Sequence, residues 1–442
     1  MNAPLGATGV VSGPLTSGIS FGWRIKIATE GSERLVRLRS GSGSLIRDLN
    51  RAAILAFVGQ RGPIARVEIA QELNLSQATV TVLTRDLMLE GLVREVAPAP
   101  SRGGRPGVLL GLIPEAAHAL GAKIAADHLA VMRVSLDGEP VSVAERPFDA
   151  RAPRAIEWLG DALAEIVSEG DGQAPRLLGI GLGVPGIVDL PAGGVVESPV
   201  LGWHALALGA RLQDRLGLPV LVDNDVNTLA VAERLYGRGR SIDHFITLTI
   251  GRGVGLGIIV GGELYRGARG GAGEFGHVRM SDDGPLCQCG NRGCLETFVS
   301  DEALLREGQA AGIVGAVDGI EQLRARADGG DRAALEVYAT AGTRLGRAVA
   351  GLVNVLSPQL VLVSGEGTQA WRHLETTFEA ALNDNLFAPL RGVPVEVDPW
   401  DDAKWARGAA ALVLRATFAT PLYERQPDDA VRERLTAEVS PV

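Results

Sequence analysis

Cysteine is nearly absent from this chain, which has three in 442 residues: Cys287, Cys289 and Cys294. A disulfide framework requires an even number of cysteines and an oxidising compartment, so this odd cluster favours metal binding. The sequence also lacks any apolar run near the roughly 20 residues that span a membrane, and it lacks the basic start of a secretory signal. We therefore expect a cytoplasmic protein with no membrane attachment.

A histidine completes the cysteine cluster. His277 lies ten residues before Cys287, and one imidazole with three thiolates is a full tetrahedral set for zinc. Gly290 and Gly293 let the short loop turn its sulfurs toward one centre. His277 alone would be interpreted as a packed core residue, and only the cysteines make it a candidate ligand. A closed set leaves no position for a water molecule, so we expect one structural zinc ion per chain.

Length and charge indicate more than one domain. A chain of 442 residues exceeds one ordinary hydrophobic core, so two or three domains are expected. The net charge is -9, but residues 1–113 carry 13 Lys and Arg against 8 Asp and Glu, whereas the remainder carries 30 against 44. This asymmetry is compatible with a nucleic-acid partner for the first part only.

The pattern of residues 41–113 predicts a helix–turn–helix domain. Apolar residues at helical spacing indicate a first helix that ends at Gly62, and a second helix is predicted over Ile64–Leu73. Ser76 is placed to cap a third helix. The polar face of this third helix is predicted to contact base edges in a DNA major groove through Gln77, Thr81, Thr84 and Arg85.

Two strands, Leu92–Val96 and Val108–Ile113, follow the third helix and are joined by an arginine-bearing tip. Such a pair predicts the wing of a winged helix–turn–helix domain, in which Arg102 and Arg105 would enter a minor groove or bind phosphates. The alternative is a small helical bundle that only dimerises. The wing and the basic excess argue against it.

Residues 114–420 are predicted to form an α/β domain. Strands such as Leu178–Gly183 alternate with helices such as Ala155–Ser168. Residues 1–40 begin with an uncharged stretch rich in Gly, Ser, Thr and Pro, and we expect them to be disordered. Residues 421–442 are expected to be a polar tail.

Four motifs of the α/β domain resemble those of the ROK family of sugar kinases and sugar-responsive repressors. They are GLGVPG (181–186), VDNDVN (222–227), GEFGH (273–277) and CQCGNRGCLE (287–296). The cysteine motif is highly specific to this family, and its position after GEFGH makes the resemblance more specific. The resemblance covers roughly residues 41–418. It implies an α/β, actin-like (ribonuclease H-like), two-lobed ATPase fold preceded by the DNA-binding domain.

The resemblance also implies a sugar site between the two lobes. The matching positions are Gly186, Asn224, Asp225, Glu274, His277 and Glu296. Carboxylates and an amide would bind adjacent sugar hydroxyls, and His277 would offer the sugar its second ring nitrogen. Asp225 matches the residue that acts as the base in the family's kinases. We expect no catalytic residue here and predict that Asp225 is a hydrogen-bond acceptor.

The first phosphate loop departs from the family pattern. Family kinases carry a sequence like DxGGT, and the aligned segment here is GAKIAADHLA (121–130). Lys123 replaces the aspartate, Ala125 a glycine and Asp127 the threonine. An aspartate repels a polyphosphate, and an alanine Cβ obstructs close approach of the backbone. We therefore expect no use of ATP, although the second loop, residues 251–255, keeps its glycines.

Together these features predict a sugar-responsive transcriptional regulator, and more specifically a repressor of carbohydrate uptake or catabolism genes. A sugar or sugar phosphate inducer would oppose the binding of operator DNA by a homodimer or homotetramer. The alternatives are an ATP-dependent sugar kinase with an N-terminal extension and a scaffold that binds a partner protein.

Overall fold

The computed structural model describes residues 43–98, 107–169, 176–190, 193–399 and 401–418, together with Arg434. Residues 1–40, the remainder of the predicted tail and the two wing-tip arginines, Arg102 and Arg105, lie outside the described residues. Among the helices that are described, none combines the length and the apolar character that a membrane span requires.

Residues 43–112, which we call the helix–turn–helix module, contain three helices and a small antiparallel sheet. The elements are α1 (Gly43–Arg61), β1 (Ile64–Ala65), α2 (Arg66–Glu72), α3 (Gln77–Leu89), β2 (Val93–Pro98) and β3 (Val108–Leu112). Ser76 caps α3 as predicted, since its hydroxyl accepts a hydrogen bond from the Thr79 N–H at 3.0 Å. The inward face of α3 buries Val80, Leu83 and Leu87.

The predicted helix over Ile64–Leu73 is wrong at its start. Ile64 and Ala65 form β1 and pair with Leu110 and Leu109 of β3, and the helix begins only at Arg66. The partner strand lies far along the chain, so local periodicity could not reveal it. The pairing of β2 with β3 agrees with the predicted two-stranded wing.

The described residues between 117 and 418 form two lobes. Lobe I contains β4 (Ala117–Ile124), β5 (His128–Ser135), β6 (Pro140–Pro147), α4 (Ala155–Ser168), β7 (Arg176–Val184), β8 (Ile187–Asp189), β9 (Val195–Ser198), β10 (Trp203–Leu206), α5 (Leu208–Leu216), β11 (Val220–Asn224) and α6 (Asp225–Leu235). Lobe II contains β12 (Phe245–Ile250), β13 (Val254–Val260), β14 (Glu263–Leu264), α7 (Glu296–Val299), α8 (Asp301–Ala310), α9 (Ile320–Asp328), α10 (Arg332–Leu356), β15 (Leu360–Ser364), α11 (Trp371–Asn385) and β16 (Val395–Val397). The last helix, α12 (Asp402–Phe418), returns to lobe I.

The two lobes repeat one sheet topology. Lobe I has the order β11-β7-β4-β5-β6, and lobe II has the order β14-β13-β12-β15-β16. In each sheet the first strand in sequence is central, pairs antiparallel with the second and parallel with the fourth. This duplication is the arrangement expected of the two-lobed actin-like fold.

Helix α12 lies directly on the sheet of lobe I. A Cβ atom on Gly121 of β4 would clash with the Ala406 carbonyl, and one on Gly181 of β7 would clash with the Ala409 carbonyl. These two glycines therefore let the helix backbone approach the strands closely. Larger residues at either position would push α12 away from the sheet.

The same helix joins lobe I to the helix–turn–helix module. Its residues Ala406, Ala410 and Val413 belong to one buried apolar cluster with Ile54 and Val58 of α1. Packing of this kind transmits small displacements, because protein interiors are close-packed and deform little. The module is thus held by the hydrophobic core of lobe I.

Candidate functional site

The four predicted zinc ligands converge. One donor atom from each of His277, Cys287, Cys289 and Cys294 lies within 4.8 Å of all the others. The Cys287 sulfur is 3.5 Å from Nδ1 of His277, and the Cys289 and Cys294 sulfurs are 3.7 Å apart. Tetrahedral zinc with bonds of about 2.3 Å separates its sulfur ligands by about 3.8 Å. The spacing of the donor atoms therefore suits a single zinc ion.

The backbone of the zinc loop, residues 277–294, explains how the sulfurs meet. The Cys287 N–H donates to the Asn291 carbonyl at 2.8 Å, which closes a tight turn around Cys289. Gly293 has a φ of 70° and lies against the Ser281 backbone, where a Cβ atom would clash. Only glycine fits this position without strain, as the sequence predicted for the loop's bend. Cys287 and Cys294 are buried, whereas Cys289 is exposed.

His277 connects the zinc loop to the cleft between the lobes. Its Nδ1 faces the Cys287 sulfur, and its Nε2 lies 3.6 Å from a Glu274 carboxylate oxygen. Glu296, the first residue of α7, places a carboxylate oxygen 3.4 Å from the same Nδ1 and 2.8 Å from the Cys287 sulfur. The two ring nitrogens thus face different partners.

Lobe I contributes Asn224, Asp225 and Gly186 to the cleft. The Asn224 Oδ1 accepts hydrogen bonds from the Val226 and Asn227 N–H groups and caps α6, and its Nδ2 donates to the Gly186 carbonyl at 2.9 Å. Gly186 has a φ of 115° and packs against Ser198, so a side chain does not fit there. These contacts fix the place at which the helix begins and hence the position of Asp225.

The carboxylates of the two lobes are close enough to influence one another. Burial raises the pKa of Glu274, and the neighbouring Glu296 and Asp225 carboxylates raise it further, whereas His277 lowers it. Burial also raises the pKa of Asp225, and Lys123 opposes this shift. Of the predicted sugar ligands, the structure thus brings Asp225 of lobe I near Glu274, His277 and Glu296 of lobe II. Such clustered, perturbed carboxyls are typical of functional sites.

Two residues that position this site were missed by the sequence reasoning. Asp223 is buried and accepts hydrogen bonds from Arg266 Nε at 2.7 Å and Asn227 Nδ2 at 2.9 Å, as well as from the Asn224 N–H. The salt bridge holds the end of β11 against the segment before the zinc loop. An acidic residue next to Asn224 was a visible signal, but no local pattern identifies Arg266, 43 positions away, as its partner.

The segment that departs from the family's first phosphate loop, residues 121–130, contacts other side chains of the protein. The Lys123 ammonium lies 3.8 Å from the centre of the Trp405 ring of α12, and both residues are buried. Asp127 accepts a hydrogen bond from Arg252 of lobe II at 3.4 Å, and Arg252 also pairs with Glu366 at 3.7 Å. The segment that departs from the family pattern thus carries a buried cation and one end of an ion-pair network.

The structure contradicts one residue of the predicted DNA-facing surface of α3 and leaves the other three as predictions. Gln77, Thr81 and Arg85 are exposed, but Thr84 is fully buried. Its hydroxyl accepts a hydrogen bond from Arg66 Nε of α2 at 3.0 Å, so it cannot reach a base. The prediction for Thr84 is wrong because α2 covers this edge of α3. Arg102 and Arg105 of the wing tip lie outside the described residues.

Comparison with known proteins adds a family and several relatives. Residues 120–416 match the sequence profile of the ROK family. The DNA-binding transcriptional dual regulator NagC of Escherichia coli K12 is 31% identical over 385 residues, which cover 85% of this chain and 95% of NagC. The xylose repressor of Caldicellulosiruptor bescii is 29% identical over 397 residues, which cover 87% of this chain and all of that protein.

Solved structures of ROK family proteins are also similar to this chain. A ROK family transcriptional regulator, described as a homologue of the Escherichia coli MLC protein, matches with a TM-score of 0.75 and 27% identity over 88% of this chain and 99% of its own. A ROK family glucokinase from Streptomyces griseus, solved with glucose and AMPPNP, has a TM-score of 0.58 and 29% identity. It covers 67% of this chain and 98% of its own.

Proposed function

Because this chain belongs to the ROK family, as the match over residues 120–416 shows, we propose that it is a sugar-responsive DNA-binding transcriptional regulator. It acts in the cytoplasm as a repressor of carbohydrate uptake or catabolism genes. The observation that carries the proposal is the extent of the alignment to relatives named as repressors. The alignments with these relatives cover 85–87% of this chain. The two lobes alone make up a smaller part of the chain, so the alignments must include the helix–turn–helix module as well.

The sugar is proposed to bind in the interlobe cleft. The proposal is supported by the proximity of Asp225 of lobe I to Glu274 of lobe II, which lies beside His277, and by Asn224, which fixes the start of α6 next to Asp225. Carboxylates satisfy neighbouring sugar hydroxyls in pairs, and a partly buried cleft strengthens such bonds. Binding would draw the lobes together, since the ligands are divided between them.

Zinc is proposed as the ion of the metal site, held by His277 and the three cysteines. Four protein ligands complete its coordination, so the ion would fix the loop and orient His277 and would not activate water. An imidazole that binds zinc through one ring nitrogen can still form a hydrogen bond to the sugar through the other.

The sensor domain is proposed to have no kinase activity. Lys123 and the Asp127–Arg252–Glu366 network occupy the region of the first phosphate loop. The glucokinase likeness is the observation that favours an ATP-dependent sugar kinase. Incubation with ATP and sugars separates the two functions, because phosphate transfer would establish the kinase.

A route for coupling follows from the packing of two helices. Asn224 and Asp225 begin α6, which packs along α12. Trp405 of α12 contacts Lys123 beside Asp225, and the middle of α12 shares its apolar cluster with α1 of the helix–turn–helix module. Sugar that shifts α6 would therefore move α12 and change the placement of α1. In a dimer or tetramer this movement of α1 would misplace the paired helix–turn–helix modules. Sugar would then weaken operator binding, and operator would weaken sugar binding by the same factor.

Glu274→Gln is expected to weaken sugar binding by about five- to a hundredfold, because loss of one partner of a buried hydrogen-bonded hydroxyl costs about 1–3 kcal/mol. Calorimetry with xylose, glucose, N-acetylglucosamine and their phosphates on the full-length protein measures this effect, without added ATP. Asp283→Asn, which changes an exposed carboxylate of the same segment, is the control and should bind normally. Equal affinity in Glu274→Gln and wild type would reject this cleft as the sugar site.

Arg85→Ala is expected to weaken binding to the cognate operator by about 1–3 kcal/mol if Arg85 contacts a base, while binding to unrelated DNA changes little. The operator is first selected from a random DNA pool with the full-length protein, and affinities are then measured at several salt concentrations. A phosphate contact would instead weaken all sequences and flatten the salt dependence. Arg94→Ala, an exposed arginine of β2, is the matched control. Unchanged affinity for every DNA would exclude Arg85 from the interface.

A further inference from the structure

Lobe II contains a cavity that the proposed function does not use. Its volume is about 400 Å³, within the range of small-molecule sites. It lies between the loop after β12, the first turn of α8, α9 and the turn after β15. Apolar side chains form part of its wall, among them Val299, Leu305 and Ile320.

The charged groups of this cavity are mostly acidic. Four carboxylates line it against two guanidinium groups, and the latter belong to Arg252 and Arg324. Arg252 is already paired with Asp127 and Glu366. Burial, together with the nearby Glu366 and Glu321 carboxylates, raises the pKa of Asp301 to about 6. The cavity therefore carries negative charge that its own arginines do not balance.

A buried hydroxyl gives a second and independent indication of a ligand. Tyr338 of α10 lines the cavity and is 1% exposed, yet its hydroxyl has no hydrogen-bond partner among the described residues. An unpaired buried hydroxyl is costly and is usually satisfied by a ligand or an ordered water molecule. Asp301 lines the same cavity as Tyr338, so the hydroxyl and the carboxylate belong to one site.

We propose that this cavity binds a small organic ammonium ion, with its apolar part against Val299, Leu305 and Ile320 and its ammonium group toward Asp301 and Tyr338. A protonated amine supplies the charge that the carboxylates favour and donors for the unpaired oxygen. A nucleotide is the competing occupant, since Gly251 of the second glycine loop borders the cavity. Its phosphates would meet the Asp301, Glu321 and Glu366 carboxylates and be repelled.

Three probes that share one carbon skeleton test whether the cavity prefers a positively charged ligand. Benzylamine, benzyl alcohol and benzoate differ chiefly in charge, and AMP and ADP test the nucleotide alternative. Thermal shift and calorimetry on the full-length protein should show that benzylamine raises the melting temperature, while the alcohol, the acid and the nucleotides do not. Equal stabilisation by benzyl alcohol, stabilisation by a nucleotide alone, or no effect of benzylamine would each overturn the proposal.

Two variants locate the site. Asp301→Asn should weaken benzylamine binding about tenfold or more, because a charge-assisted hydrogen bond is lost, and Tyr338→Phe should weaken it several-fold. Glu379→Gln removes an exposed carboxylate of α11 outside the cavity and should leave binding unchanged. Sugar binding and operator binding are measured on the same proteins and should not change, so failure here is distinct from failure of the regulator proposal. Wild-type benzylamine affinity in both cavity variants would refute the assignment.

Discussion

Cys289→Ser is expected to remove the zinc ion and to abolish measurable sugar binding. Cys289 is exposed, so serine leaves no cavity in the core, and the effect should come from the metal alone. Loss of one thiolate opens the closed set, and the zinc loop then no longer fixes His277 beside Glu274 and Glu296. Because metal bound only by the native state contributes directly to stability, the melting temperature should also fall by several degrees.

Metal analysis and sugar calorimetry on freshly purified, unchelated protein measure both effects. Wild type should contain about one zinc per chain, as a complete ligand set requires. Gln288→Ala changes the exposed neighbour of Cys289 and should keep both zinc and sugar binding. Wild-type protein without metal, or a Cys289→Ser variant that retains full zinc, would contradict the assignment.

Trp405→Leu is expected to uncouple the two binding sites while each still functions. The buried ring of Trp405 belongs to α12 and contacts Lys123. Lys123 in turn lies close enough to Asp225 to lower its pKa. A desolvated cation–π contact contributes about 2 kcal/mol, equivalent to about thirtyfold in a coupling constant. Sugar affinity and operator affinity should each stay within about threefold of wild type, whereas the effect of sugar on operator affinity should largely disappear.

Lys123→Met provides a second test of the same contact, since it keeps the length of the side chain and removes its charge. Trp158→Leu, a partly exposed tryptophan of α4, is the control and should couple normally. Operator affinity is measured by fluorescence anisotropy with and without saturating sugar. Full coupling in both Trp405→Leu and Lys123→Met would show that the signal takes another route.

Local signals in the sequence predicted much of the fold. The cap at Ser76, the inward face of α3 and the convergence of His277 with the three cysteines could be read from spacing and residue type, because each depends on neighbours within one turn or loop. The family motifs added the two-lobed fold, and the solved regulator and glucokinase share it.

Contacts between distant segments could not be predicted in this way. Thr84 has the polarity of a DNA-contacting residue, but its burial depends on Arg66 of another helix. Lys123 was recognised as a departure from the kinase pattern, yet its partner Trp405 lies near the other end of the chain. Both cases involve tertiary packing, which periodicity along one element does not encode.

Sugar and operator are expected to oppose each other on one molecule, and this linkage can be measured on the full-length protein. The affinity of the full-length protein for its selected operator is determined by anisotropy, without ligand and with a saturating concentration of the sugar that calorimetry identifies. Sugar is expected to weaken operator binding by about 5- to 150-fold, the usual range of allosteric coupling. Operator affinity that does not change at saturating sugar would contradict this expectation.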